Sequence, residues 1–271
     1  MKKMKFGLST KIIACILTVQ IVVMGVLVLF IGNAITNNTK QSTTNNMETV
    51  VEERSRIIDN YVQEMEQTIT AYSRAGEILD VLKNPTDEAA VAAAQAYTEK
   101  FSADVSNLEG LYVSEWNTHV LAHTNAAVVG ITTREGDPLK ALQDALLAAD
   151  GVYNTGIIIS PASGQQIVSL YRAVFDESGN PVGLVGGGVF TTGLIQLLDS
   201  LTMQGMENAE YRMVNATNGQ YIFCEDGEKV ATEAEEEYIR DLCAKFSGSA
   251  QNDMGFTEYT ENGQENIATY Y

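Results

Sequence analysis

The fold is decided by YNTGIIIS (153–160), QQIVSLYRAVF (165–175) and VGLVGGGVF (182–190). Each segment is rich in β-branched, aromatic or small apolar residues, as strands are. The separators Pro161–Gly164 and Asp176–Pro181 consist mainly of residues that favour turns. The pattern therefore predicts three consecutive strands joined by tight turns.

Two strands and a helix precede these segments. Leu111–Trp116 and His119–His123 are rich in β-favouring residues, and Asn117-Thr118 between them suits a hairpin turn. The apolar stripe of a helix follows, and it consists of Leu139, Leu142, Leu146 and Leu147.

The predicted helix has recognisable ends. Asp137 is placed to cap it, Pro138 takes the first helical position, and Gly151 supplies a left-handed stop. The order strand, strand, helix and three strands predicts an antiparallel sheet with helices on one face, which is an α+β fold.

An apolar run near the N-terminus predicts a membrane helix. Ile12–Ile35 contains no charged residue and is longer than the roughly 20 residues that span a bilayer. A cleaved signal peptide is the alternative, but Gly32-Asn33-Ala34 is a poor cleavage site and the run is long for a signal core. The preceding basic residues predict a cytoplasmic N-terminus with the rest of the chain outside; they are Lys2, Lys3, Lys5 and Lys11.

The exterior part is strongly acidic. All 35 acidic residues but only 13 of the 17 basic residues follow the apolar run, so this part carries an excess of 22 negative charges. Such a charge keeps a domain soluble and disfavours nucleic acid or an anionic membrane surface as a partner.

A long helix is predicted after the polar segment Asn37–Asn46. Apolar residues recur every three or four positions from Met47 to Leu82, and Asn84-Pro85 ends the pattern. The stripe suits packing on its own domain or a two-helix seam between subunits. Thr86 is predicted to cap a second helix that runs to Phe101.

The first pattern then recurs in shorter form. A helix is predicted over Thr192–Leu201, and the turn pairs Asn218-Gly219 and Asn262-Gly263 mark two hairpins on either side of a helix at Glu233–Phe246. Cys224 and Cys243 are a candidate disulfide pair in an oxidising compartment, with free thiols as the alternative.

The first module resembles the extracytoplasmic Cache family, the PAS-like sensors of bacterial chemoreceptors and sensor kinases. The segments that carry the resemblance are Gly151–Tyr153, Ile159–Gln165, Tyr171–Asp176 and Gly179–Gly186. The two tandem modules are similar to the double-Cache arrangement over most of 37–271, and the sequence ends before a second membrane helix.

The resemblance implies the sensor region of a methyl-accepting chemotaxis receptor or related transducer. It implies a small extracellular ligand and pairing into a homodimer through the long helix; cytoplasmic signalling partners are expected only if the natural chain continues past Tyr271. The expected parts are a cytoplasmic 1–11, a membrane helix at 12–35, helices at 37–104, a membrane-distal module at 105–203 and an incomplete membrane-proximal module at 204–271.

The resemblance also implies ligand contacts. Arg134 lies where amino-acid-binding Cache proteins carry an Arg that clamps a carboxylate, and Tyr153 falls near a family Tyr. The family pattern's Trp and Tyr correspond here to Gly136 and Asp137, and its acidic residue corresponds to Gly188. A carboxylate ligand without an amine is compatible with what remains, and an exposed or helix-capping charge is the alternative for Arg134.

Three more residues are candidates for the ligand site. Tyr171 and Ser169 share one face of their strand, and His123 is a candidate contact. His119 and His123 would lie about 13 Å apart along a strand, too far for one metal ion. No metal and no cofactor are therefore expected.

Motifs of enzyme chemistry do not occur in the sequence. It contains no Walker loop, nucleophile elbow, HExxH or CxxC pattern, so no catalytic residue is predicted. The function expected is extracytoplasmic sensing of a small molecule, with a carboxylate or amino acid as candidate ligand. A stand-alone membrane-anchored binding or adhesion protein is the alternative.

Overall fold

The computed structural model describes residues 7–199, 208–247, 253–261 and 263–271. The chain divides into two compact units, Glu53–Gln251 and Met1–Glu52 with Asn252–Tyr271. The end of the predicted helix Thr192–Leu201 lies outside the described residues.

Six helices and nine strands are described. The helices are α1 (Leu8–Ser73), α2 (Gly76–Lys83), α3 (Glu88–Ala103), α4 (Gly136–Ala148), α5 (Thr191–Asp199) and α6 (Glu237–Phe246). The strands are β1 (Leu108–Glu115), β2 (Val120–His123), β3 (Val152–Ile159), β4 (Gln166–Phe175), β5 (Pro181–Phe190), β6 (Met213–Val214), β7 (Tyr221–Phe223), β8 (Gly255–Glu261) and β9 (Gln264–Tyr270).

The first five strands form one antiparallel sheet. Their order is β2-β1-β5-β4-β3, which places the glycine-rich β5 in the centre. The predicted α+β class is confirmed. In the predicted second module, β6 and β7 form one two-stranded sheet, and β8 and β9 form another.

One face of the large sheet packs against helices α1, α2 and α3. Ile69 of α1 and Val81 of α2 are buried there together with Val113, Leu170 and Val185 of the sheet. Each such side chain contributes roughly 1.5–3 kcal/mol when it leaves water. This core holds the sheet, and the opposite face remains for α4.

The N-terminal helix differs from the prediction. The predicted membrane helix and the polar segment Asn37–Asn46 belong to one helix that continues to Ser73, and this helix has the length and apolar composition to cross a membrane. The predicted stripe to Leu82 is interrupted, because Ala75 adopts an extended conformation and the Ser73 hydroxyl bonds to the Thr70 carbonyl.

Two predicted caps are also wrong. Asp87, not Thr86, caps α3, because its carboxylate accepts the N–H of Ala89 at 2.9 Å. Asp137 lies in the first turn of α4, and Glu135 takes the cap position, because the positive φ of Gly136 (60°) turns the chain into the helix two residues earlier than predicted.

The loop after β2 recurs 101 residues further along the chain. In both copies a side-chain oxygen begins a 3-10 turn, a residue with positive φ follows, and a short antiparallel bridge closes the loop. The corresponding pairs are Asn125 and Asp226, Gly130 and Ala231, and His119 and Gln220. The shared geometry supports the predicted internal repeat.

We expect Asp87→Ala to lower the free energy of unfolding by about 1 kcal/mol, because α3 loses its N-terminal cap. The measurement is chemical denaturation followed by circular dichroism. Thr86→Ala is the matched control and should change stability by less than about 0.5 kcal/mol. Equal losses in the two variants would contradict the assignment of the cap.

Candidate ligand-binding site

A row of aromatic side chains crosses the sheet on the face that α4 covers. Directly paired residues of the five strands, taken from β2 to β3, form this row: His123, Tyr112, Gly186, Tyr171 and Tyr153. Directly opposed residues of antiparallel strands project to the same face. We call these five residues the tyrosine row.

The glycine in the middle makes the row possible. A Cβ atom at Gly186 would lie 2.5 Å from Cζ of Tyr112, so any larger residue would displace the ring. The ring of Tyr112 also stacks on His123, with 5.4 Å between the ring centroids. Burial, reinforced by the neighbouring Tyr171 and opposed by Arg134, raises the pKa of Tyr112, which therefore stays a neutral phenol.

Helix α4 covers one end of the row. Leu142 and Leu146 pack with Leu184 of the sheet and with the rings of Tyr153 and Tyr171. The Gln143 side chain donates to the Trp116 carbonyl at 3.0 Å and ties the helix to the end of β1.

Arg134 projects onto the row from the connection before α4. Its Nη2 donates to the Tyr171 hydroxyl at 3.1 Å, and its guanidinium carbon lies 5.1 Å from the centre of that ring. Burial by itself lowers the pKa of Arg134, but contact with Tyr171, Tyr112 and Tyr153 raises it further than burial lowers it. The side chain is therefore a half-buried cation.

This cation has no anionic partner among the described residues. None of the ion pairs found among the described residues includes Arg134. The described hydrogen-bond acceptor of its side chain is a phenol, the Tyr171 hydroxyl. A half-buried guanidinium beside neutral hydroxyls is suited to a carboxylate, which its planar fork can hold through two bonds.

His123 is fixed at the other end of the row. Its backbone N–H and C=O both bond to the Gln95 side chain at 3.0 Å. Its Nδ1 accepts the Asn125 N–H at 2.7 Å, which leaves the proton of the neutral ring on Nε2. Burial, opposed by Glu109, lowers the pKa of His123.

Glu109 is the residue that the sequence analysis missed. It occupies a bulge of β1, and its Oε2 lies 2.6 Å from where a Cβ of Gly188 would be. Its Oε1 accepts the Ser163 hydroxyl at 2.7 Å. A bulge places an extra residue on a face that alternation alone does not predict, so only the paired register could reveal it.

The structure brings the predicted site residues together on one face. Arg134, Tyr171, Tyr153 and His123 contact or belong to the tyrosine row, and Ser169 pairs with Gly188 two residues along β4. Ser169 is buried, and its backbone carbonyl accepts a hydrogen bond from the Thr155 hydroxyl. No metal-binding group of His, Cys, Asp or Glu occurs among the described residues.

A different group of charged residues lies beside the second copy of the loop. Arg212 binds Glu236 at 3.0 Å and Glu210 at 2.8 Å, and it also donates to Tyr238. This arginine is already neutralised, which suits a structural role. Cys224 and Cys243 pack in the same small core as free thiols.

A separate groove of about 600 Å³ lies between α3 and the loop after β2. Its lining includes Val91, Leu121 and Val129, together with Glu88 and Glu99. No basic residue lines it, so it suits an anionic ligand less well than the face that carries Arg134.

No protein-family model matches the chain, and no curated protein matches it in sequence. Solved structures match its fold. The sensory domain of the Campylobacter jejuni chemoreceptor Tlp3, solved with isoleucine bound, is 13% identical with a TM-score of 0.62 over 85% of this chain and 88% of that chain.

Two further structures are similar. The ligand-binding domain of the Pseudomonas fluorescens chemoreceptor CtaA, in complex with L-isoleucine, is 18% identical with a TM-score of 0.54 over 87% of this chain and 86% of that chain. The sensor domain of the V. cholerae histidine kinase DctB is 11% identical with a TM-score of 0.59 over 84% and 86%. The chain thus has the fold of chemoreceptor and histidine-kinase sensor domains, as the Cache resemblance predicts.

We expect His123 to make stability depend on pH. Its folded pKa lies below the ordinary 6.5, so the unfolded chain takes up a proton first as the pH falls. The parent protein should therefore lose stability below about pH 6.5 more steeply than His123→Gln does. Thermal denaturation between about pH 7.5 and 5 measures the difference.

His119→Gln is the matched control for this measurement, because it removes the other histidine and leaves His123 in place. It should melt with the pH dependence of the parent. Parallel curves for the parent and His123→Gln would refute a buried, neutral His123.

Proposed function

We propose that this chain senses a small extracytoplasmic carboxylate, which binds on the tyrosine row beneath the connection before α4. The observation that carries the proposal is Arg134, a half-buried cation whose described partner is the Tyr171 hydroxyl. A bound carboxylate would supply the missing anion. The neighbouring folds support the proposal, since Tlp3 and CtaA were solved with amino acids bound.

The ligand class extends to α-amino acids if Glu109 binds an ammonium group. Tyr171 pairs with Gly186, so the position of Gly188 lies two residues further along β5, a distance of about 7 Å. A short zwitterion with one hydrogen bond of about 2.8 Å at each end spans a comparable distance. Glu109 would then do the work of the acidic residue that the family pattern has in its last strand, where this chain has Gly188.

The sheet offers a route from the ligand to α1. Gly186 faces the tyrosine row, whereas its neighbour Gly187 faces α1, where a Cβ would lie 2.7 Å from Cδ1 of Ile69. A ligand that shifts Tyr112 against Gly186 would press on β5 at this point. A membrane-anchored receptor with an exterior sensor agrees with the apolar part of α1.

We expect Arg134→Ala to weaken carboxylate binding by about tenfold to a hundredfold, the equivalent of one charge-assisted bond of about 1.5–3 kcal/mol. Arg134→Lys should recover only part, because lysine lacks the planar fork. The measurement is calorimetric titration of the full chain in nanodiscs with L-alanine, L-isoleucine and propionate.

Arg240→Ala is the matched control, because it removes an exposed arginine from α6. It should bind as the parent does. Unchanged affinity in a folded Arg134→Ala protein would remove Arg134 from the site, and failure of the parent to bind any carboxylate in a wider panel would remove the proposed function.

We expect Glu109→Gln to weaken binding of L-alanine by about tenfold and to leave binding of propionate unchanged, because only the amino acid presents an ammonium group. Glu115→Gln is the control on the same strand, since Glu115 pairs with Gly183, which faces α2. An equal loss for both ligands in Glu109→Gln would contradict the ammonium contact and leave the carboxylate contact standing.

A further inference from the structure

We propose that Thr118 is a positioning residue for Arg134. Its hydroxyl holds the Arg134 backbone, and this contact explains why a threonine occupies a backbone conformation that favours glycine. The inference rests on the proposed function of Arg134. It concerns how the cation is aimed at the ligand.

Thr118 holds both sides of the Arg134 backbone. Its Oγ1 accepts the Arg134 N–H at 3.0 Å and donates to the Arg134 carbonyl at 3.0 Å. The two groups flank the Cα atom, so the contact fixes the direction in which the Arg134 side chain leaves the connection. Thr118 is 1% exposed, so the protein shields its hydroxyl from water.

The backbone of Thr118 is strained. Its φ angle is 67°, in the left-handed region that favours glycine. A β-branched residue is an outlier there, because its side chain crowds the backbone. The turn between β1 and β2 would therefore form more easily with glycine, and the threonine side chain needs another reason.

The second copy of the loop supplies an internal comparison. Gly219 stands in the corresponding place with a φ of 71°, and the Ala234 N–H bonds to its carbonyl as the Thr133 N–H bonds to that of Thr118. The residue that corresponds to Arg134 in this copy is Glu235. The chain thus uses glycine where no arginine has to be held, and threonine where one does.

The test compares Thr118→Ser, Thr118→Val and Thr118→Gly in the full chain in nanodiscs. Serine keeps the hydroxyl, valine keeps the branched shape, and glycine removes both the strain and the hydroxyl. We expect Thr118→Ser to bind L-alanine and propionate within about threefold of the parent, and valine and glycine to weaken both by at least about tenfold. Thr118→Gly should melt within about 4 °C of the parent, because relief of strain offsets the lost bonds.

Hydrogen exchange of the Arg134 amide without ligand is the second measurement. It should be faster in Thr118→Val and Thr118→Gly than in the parent and Thr118→Ser, because the acceptor is lost. This readout holds even if the parent binds neither acid, an outcome that would count against the proposed function alone.

Three results would overturn the inference. They are an unchanged Arg134 amide exchange in Thr118→Gly, binding by Thr118→Gly within about threefold of a parent that does bind, and a loss of affinity in Thr118→Ser as large as in Thr118→Val. Should valine fail to fold, the serine and glycine variants still decide between a hydroxyl that aims Arg134 and a residue that only shapes the turn.

Discussion

The close approach of side chains to the glycines of β5 is the constraint on which this structure depends. On one face Ile69 of α1 reaches Gly187, and on the other Tyr112 lies across Gly186. A side chain at either glycine would push one layer away from the sheet. Because neither glycine has a Cβ, only the thickness of one strand separates the long helix from the tyrosine row at this point.

The charge of the chain limits the ligands that the proposed site could take. The part after the apolar run has an excess of 22 negative charges, which repels anions, most strongly those with several charges. Arg134 is a positive charge within this negatively charged part of the chain. Its guanidinium lies beside neutral phenols and is not paired with a carboxylate among the described residues. A monocarboxylate or a zwitterion matches this balance better than a polycarboxylate.

The two copies of the loop share one backbone geometry but differ in the side chains around them. Asn125 and Asp226 begin the same 3-10 turn, yet the arginines nearby differ in their surroundings. Arg212 is enclosed by Glu210 and Glu236 and so contributes to packing, whereas the guanidinium of Arg134 donates to a phenol, the Tyr171 hydroxyl. The difference lies in which side chains the adjacent elements supply, because the backbone turns are alike.

The sequence by itself determined the α+β class, the strands 153–160, 165–175 and 182–190 to within a residue or two, and Arg134, Tyr153, Tyr171 and His123 as candidates, because periodicity and turn residues are local signals and a family resemblance marked two of them. Only the tertiary structure decided that four strands align these aromatic residues around Gly186, that Glu109 reaches Gly188 from a bulge, and that Thr118 holds Arg134. Those relations depend on strand register and on contacts between residues distant in the chain, which no local pattern specifies.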